Sequence, residues 1–138
     1  MADALPRVLS DTMAGVLAAL RVPRVIDTSL KSLLDTPVVG TAEPRECARS
    51  IRVAHRTLRL LAAIPGGRWR NTCLFRSVAE CHVRRARGWP ARLAIGVGSA
   101  EDRVIAHSWV EIVGAAEMPG TPTALSPLRL AAMHDMVD

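Results

Sequence analysis

The sequence predicts an α+β domain in which a helical N-terminal half packs on a small antiparallel sheet. Three observations carry that expectation. Apolar residues recur at helical spacing through residues 1–64. Residues 73–87 have both a start and a stop signal for a helix. Two later runs, around Leu93–Val97 and Val104–Ile112, alternate as half-buried strands do. A chain of 138 residues has room for one domain of ordinary size, here a helical region over 1–64 and a core over 65–138 in one compact unit.

Leu5, Leu9, Met13, Val16 and Leu20 form the apolar stripe of a first amphipathic helix, which Pro23 ends or bends. Ser29 to Leu34 suits a short second helix, stopped by Pro37 and Gly40. Thr41 then reads as an N-cap, with Glu43 and Pro44 in a permissive first turn. Cys47, Ile51, Ala54, Leu58 and Leu61 line one side of the next helix. Arg45, Arg49, Arg52, Arg56 and Arg59 line its other side, where they meet solvent or a partner. Pro65-Gly66-Gly67 breaks that helix. Asn71 or Thr72 caps the helix from about 73 to 87, basic residues fill its last turn, and Gly88 suits the C′ position. After Trp89-Pro90, Leu93, Ile95 and Val97 alternate, as do Val104, Ala106, Ser108, Val110 and Ile112, with a hairpin loop at 98–102 between them. A short helix at Pro127–Met136 closes the domain.

Composition removes several classes of function. The chain is 49% hydrophobic and 22% charged, with a net charge of +5, so it can build a core and is not disordered. Three Trp, one Phe and no Tyr leave the core to Leu, Val, Ile and Ala. No run reaches the roughly 18–20 apolar residues of a membrane span. An acid precedes the first apolar run, the wrong order for a signal peptide. Three cysteines, an odd number, do not read as a secreted disulfide framework. These features place the chain in a reducing cytoplasm.

Cys73 carries the first sign of chemistry. It falls in the first turn of a helix, where unpaired N–H groups and the positive end of the macrodipole favour a thiolate, with Arg70 and Arg76 nearby. A thiolate is the form that attacks a carbonyl, although most free cysteines are small buried hydrophobes. Cys81 lies eight positions on, roughly 12 Å along the helix axis, so the two cannot form a disulfide. His82 faces nearly opposite to Cys73 and cannot serve as its base. Cys47, Cys73, Cys81 and His82 lack the short spacing of a zinc knuckle, so no metal or cofactor is expected. Cys81 and His82 read as structural or surface residues.

His107 is the better partner. Along its strand it shares a face with Ile105, Trp109 and Glu111, while Val104, Ala106, Ser108, Val110 and Ile112 face the core. A helix that begins with Cys and docks on a sheet presenting His is the arrangement of cysteine nucleophile catalysis. Glu111 is about 13 Å along the strand from His107, too far to orient the ring directly. A turn near Gly114–Ala116 sets Thr121 to Thr123 opposite His107. Glu117 is the nearest downstream acid, and Asp135 a remote one.

Four runs together carry a resemblance: Cys73-Leu74-Phe75-Arg76-Ser77-Val78-Ala79, Arg84-Arg85-Ala86-Arg87-Gly88, Leu93-Ala94-Ile95-Gly96-Val97 and Ala106-His107-Ser108-Trp109-Val110-Glu111. In this order and spacing they resemble the transglutaminase-like cysteine proteases of bacterial lasso peptide biosynthesis, over about residues 65–114. The resemblance implies a papain-like Cys–His–Asp core that removes the leader from a ribosomally made precursor peptide. Cys73 would be the nucleophile and His107 the general base. The family acid lies about a dozen residues after the histidine, where this chain has Pro119, so Glu117 is the candidate third member. Arg76, Ser77, Trp109 and Glu111 match motif positions as scaffold. Some relatives carry a winged-helix precursor-recognition module ahead of the protease. Residues 1–64 lack its strands, so the resemblance implies a separate leader-recognition protein as partner. An asparagine-synthetase-like macrolactam cyclase would act beside it in the same pathway.

Two other readings compete. The missing acid leaves room for a transamidase or a non-catalytic scaffold on the same fold. The charge and the cluster Arg84, Arg85, Arg87 suggest nucleic-acid binding, but almost nothing is present to stack on bases, and no recognition motif appears.

Overall fold

A computed structural model describes residues 4–31, 33, 37–100 and 103–113. The elements are α1 (Ala4–Thr28), α2 (Pro44–Ala62), α3 (Cys73–Ala86), β1 (Ala91–Ala100) and β2 (Arg103–Ile112). The strands pair antiparallel, with Leu93 opposite Val110, Gly96 opposite His107 and Arg92 opposite Glu111. The α+β expectation holds, with α3 as the central element that packs against the other two helices and both strands. Cys47, Ala54, Leu58, Val78, Ala79, Val83 and Leu93 join α1's buried face in one core. No helix among the described residues is long and apolar enough to cross a membrane.

Helix α1 is not ended by Pro23, and it buries the face opposite to the expected one. It runs through Pro23, which removes a backbone donor and leaves the Ala19 carbonyl without its helical partner. The Trp69 indole N–H takes that place, donating to Ala19 O at 3.0 Å. The break is thereby satisfied from outside the helix, and Trp69 has its reason. The face is also reversed. Leu5, Leu9, Met13 and Leu20 point outward, while Asp11, Ala18, Ala19 and Val22 are buried. Close approach decides this outcome. A Cβ at Gly15 would lie 2.4 Å from the Ser50 carbonyl oxygen and 2.7 Å from the Val53 Cβ. The small-residue side lets α1 and α2 touch almost backbone to backbone, and a leucine side could not.

Helix α2 begins two residues later than Thr41 suggests. Pro44 occupies the first turn and Glu43 is the N-cap, its N–H bonded to the Glu46 carboxylate at 3.2 Å. The capping box supplies what an isolated threonine does not. Helix α3 starts as expected, with the Phe75 N–H on the Thr72 hydroxyl at 3.4 Å. Its end is capped by the returning chain: the Val39 N–H bonds Arg85 O and the Ala42 N–H bonds Arg87 O, each at 3.1 Å. Gly88, at φ 91°, sits so close to Gly40 that a Cβ would fall 1.9 Å from its carbonyl oxygen. No other residue fits there. The expected helices at Ser29–Leu34 and Pro127–Met136 fall partly or wholly outside the described residues.

Candidate functional site

Cys73 is the first residue of α3, half-buried, one position after the Thr72 cap. One helical turn further, on the same side, Ser77 is buried and its hydroxyl donates to the Ser108 carbonyl at 3.0 Å. The Ser108 hydroxyl in turn donates to Ser77 Oγ at 3.2 Å. This pair fastens the Cys73 helix to β2 at the residue next to His107. Neither serine stands out in the sequence as more than a small polar residue. Their meeting is tertiary, and the sequence marks the two only as members of runs that carry the family resemblance.

His107 lies on the other face of β2, as strand alternation requires. Its ring stacks on Trp109, with centroids 6.2 Å apart and planes 20° from parallel. Trp109 donates from its indole N–H to Glu111 at 3.2 Å, and Glu111 is held across the strands by Arg92 at 2.6 Å. The sequence placed His107, Trp109 and Glu111 on one face, and the structure links them in a row. Glu111 therefore reaches the imidazole only through the indole. Among the described residues the Cys73 thiol and the His107 ring share no hydrogen bond, and no carboxylate bonds His107. Catalytic hydrogen bonds often tighten only with substrate in place. Glu117, Thr121, Thr123 and Asp135, the candidates for an orienting group, lie outside the described residues.

The other sequence candidates take structural places. Cys81 is buried, and burial pushes its thiol up to about 11. Cys47 is buried in the core and its thiol is raised by the same loss of solvent. His82 accepts from Arg21 at 3.2 Å, joining α3 to α1, and burial lowers its pKa with Arg21 adding to the effect. Arg70 turns its guanidinium onto the Gly67 and Trp69 carbonyls at 2.7 and 3.0 Å. A cleft of about 440 Å³ lined by Arg7, Asp11, Glu43, Glu46 and Arg87 opens at the far end of α3, remote from Cys73.

The model of one protein family, the transglutaminase-like superfamily, matches residues 14–129, a span that takes in Cys73, His107 and both halves of the chain. No curated protein and no solved structure matches significantly.

Proposed function

The chain belongs to the transglutaminase-like superfamily, and from that premise we propose that it is a cysteine peptidase that cuts the leader from a ribosomally made lasso precursor peptide. The observation that carries this reading is a capped helix that begins at Cys73 and is fastened through Ser77 to Ser108, the residue next to His107 in sequence, while the His107 ring lies on the opposite face of β2. In the proposed reaction His107 takes the Cys73 proton, and the sulfur attacks the scissile carbonyl carbon. Collapse of the tetrahedral intermediate breaks the C–N bond, and His107 returns the proton to the leaving amine. Water activated by the same imidazole then cleaves the thioester and frees Cys73. Backbone N–H groups at the start of α3 are suited to steady the oxyanion. The released core peptide would pass to an asparagine-synthetase-like macrolactam cyclase.

The test is cleavage of a precursor peptide followed by mass spectrometry, with a separate leader-recognition protein present. Cys73→Ala and His107→Ala should each abolish cleavage in folded protein, because a nucleophile and its base fail together. The recognition protein should speed cleavage strongly by holding the peptide at high effective concentration. An active Cys73→Ala protein would end the hypothesis. Transfer of the acyl group to an added amine, with no hydrolysis, would favour the transamidase reading instead.

A further inference from the structure

The outward face of α1 and the outward face of α2 lie side by side, and neither has a partner among the described residues. On α1, Leu5 and Leu9 are 77% and 65% exposed, and Met13, Leu17 and Leu20 are exposed with them. They recur three or four residues apart over roughly 22 Å at about 1.5 Å per residue. Folded monomers rarely expose so continuous an apolar ridge without a use for it.

The second observation is electrostatic. Arg45, Arg52, Arg56 and Arg59 are exposed on α2, and no acidic side chain pairs with any of them among the described residues. The two helices run parallel, since Asp11 meets Arg49 and Gly15 meets Ser50 and Val53. At about 100° per residue, Leu5, Leu9 and Val16 fall on the flank of α1 that borders α2. Arg49, Arg56 and the 72% exposed Leu60 fall on the flank of α2 that borders α1. An apolar ridge and a cationic row thus run together in the same direction.

We infer that this composite face docks an acidic amphipathic helix of a partner protein, its apolar stripe on the α1 ridge and its carboxylates over the α2 arginines. Charge complementarity selects this occupant. A second copy would bring a cationic row of its own to the same face, without acids to meet the first. An anionic lipid surface would meet the same leucines and arginines, and the vesicle arm of the test separates it from a partner helix. The docking mode is a helix laid along an apolar groove, with rim charges setting register. The inference does not depend on the chemistry of Cys73.

The test uses the full chain and a labelled synthetic helix of about eighteen residues, matched to the ridge length. One peptide has leucines on one face and glutamates on the rest, and a control scrambles the same residues. Fluorescence anisotropy should show binding of the first and not the second, weakened by added salt. Leu9→Glu with Met13→Glu, and separately Arg52→Glu with Arg56→Glu, should each weaken binding at least tenfold while melting as the parent does. Should the first pair lower the melting temperature, Leu9→Ser with Met13→Ser replaces it with the same expected loss. No binding by the parent chain at millimolar peptide, or equal binding by all variants, overturns the inference. Dimers that dissolve on the Leu9 and Met13 changes, or binding to phosphatidylcholine–phosphatidylserine vesicles without peptide binding, would also overturn it, in favour of a second copy or a lipid surface.

Discussion

Ser77 joins the helix that begins at Cys73 to the strand that carries His107 through one hydrogen bond to a main-chain carbonyl, a bond buried on both sides. Ser77→Ala would leave the Ser108 hydroxyl without its acceptor. The expected cost is about 1–3 kcal/mol in urea unfolding, the usual penalty for a stranded buried polar group. If Cys73 and His107 act together, the turnover rate should fall as well, because the spacing between their elements loosens. Ser77→Cys, a poorer donor of similar size, should lie between the two. The three cysteines also make a clean contrast. Cys47 and Cys81 are buried and their thiols are raised by burial, Cys81 to about 11, while Cys73 is partly open. Iodoacetamide at about pH 8 should therefore label Cys73 first, read by peptide mass spectrometry, since only the thiolate reacts. Labelling of Cys81 before Cys73 would contradict the placement of both. The alternation of β2 made the His107 face legible in the sequence, because period two is a local rule. The Ser77–Ser108 bond was not legible, since it joins residues 31 positions apart and no local rule reaches that far.

At the scale of elements, the bounds of α3 are legible in the sequence and the buried face of α1 is not, for one reason. Helix α3 carries its own boundaries in a Thr cap and a Gly stop, both local chemistry. Helix α1 has two apolar faces, one of large residues and one of small, and periodicity favours the larger side chains. The structure buries the small ones, because Gly15, Ala18 and Ala19 allow an approach to α2 that leucine would block. The two readings give opposite mutational patterns. Leu20→Gln, fatal if Leu20 were core, should change stability by less than about 0.5 kcal/mol, as exposed substitutions do. Gly15→Val should be severely destabilising, because its Cβ starts 2.4 Å from a backbone oxygen that cannot swing away. Thermal melts of these two variants decide between the faces. Pro23 follows the same logic one level up. Its interruption of α1 is tolerated because Trp69 bonds the freed Ala19 carbonyl, so Trp69→Phe should lower the melting temperature while keeping the ring's packing.

At the scale of the whole molecule, buried titratable groups sit between the helices around the apolar core and make stability depend on pH and charge. His55 and His82 are both held below the ordinary histidine value. For His55, burial is the main cause and Arg76 adds to it, with Glu80 opposing; for His82, burial leads and Arg21 follows. The folded state then binds fewer protons than the unfolded chain, so stability is complete above about pH 6.5 and declines as pH falls below it. Melting temperature should drop on that side, and the drop should shrink in a His55→Gln, His82→Gln double variant. Asp11 is the larger stake. It is 1% exposed and sits where three helices meet, bonded to Arg49 of α2 at 3.0 Å and to Arg87 at the end of α3 at 2.5 Å. Arg87 also donates to the buried Ser50 hydroxyl, and among the described residues its Nε has no hydrogen-bond partner. Removing the carboxylate strands a mostly buried guanidinium, whereas removing Arg87 with it takes that charge away and leaves the half-exposed Arg49 and the Ser50 hydroxyl as the polar groups there. Asp11→Ala should therefore cost about 3–5 kcal/mol, the range for breaking one side of a buried pair. Adding Arg87→Met to it should recover part of that loss, since the uncompensated charge goes with the arginine. Because the network closes the end of α3 remote from Cys73, the double variant should still be alkylated at Cys73 at the parent rate below its melting temperature. Equal stability of Asp11→Ala and the parent chain would show that Asp11 does not hold the three helices together.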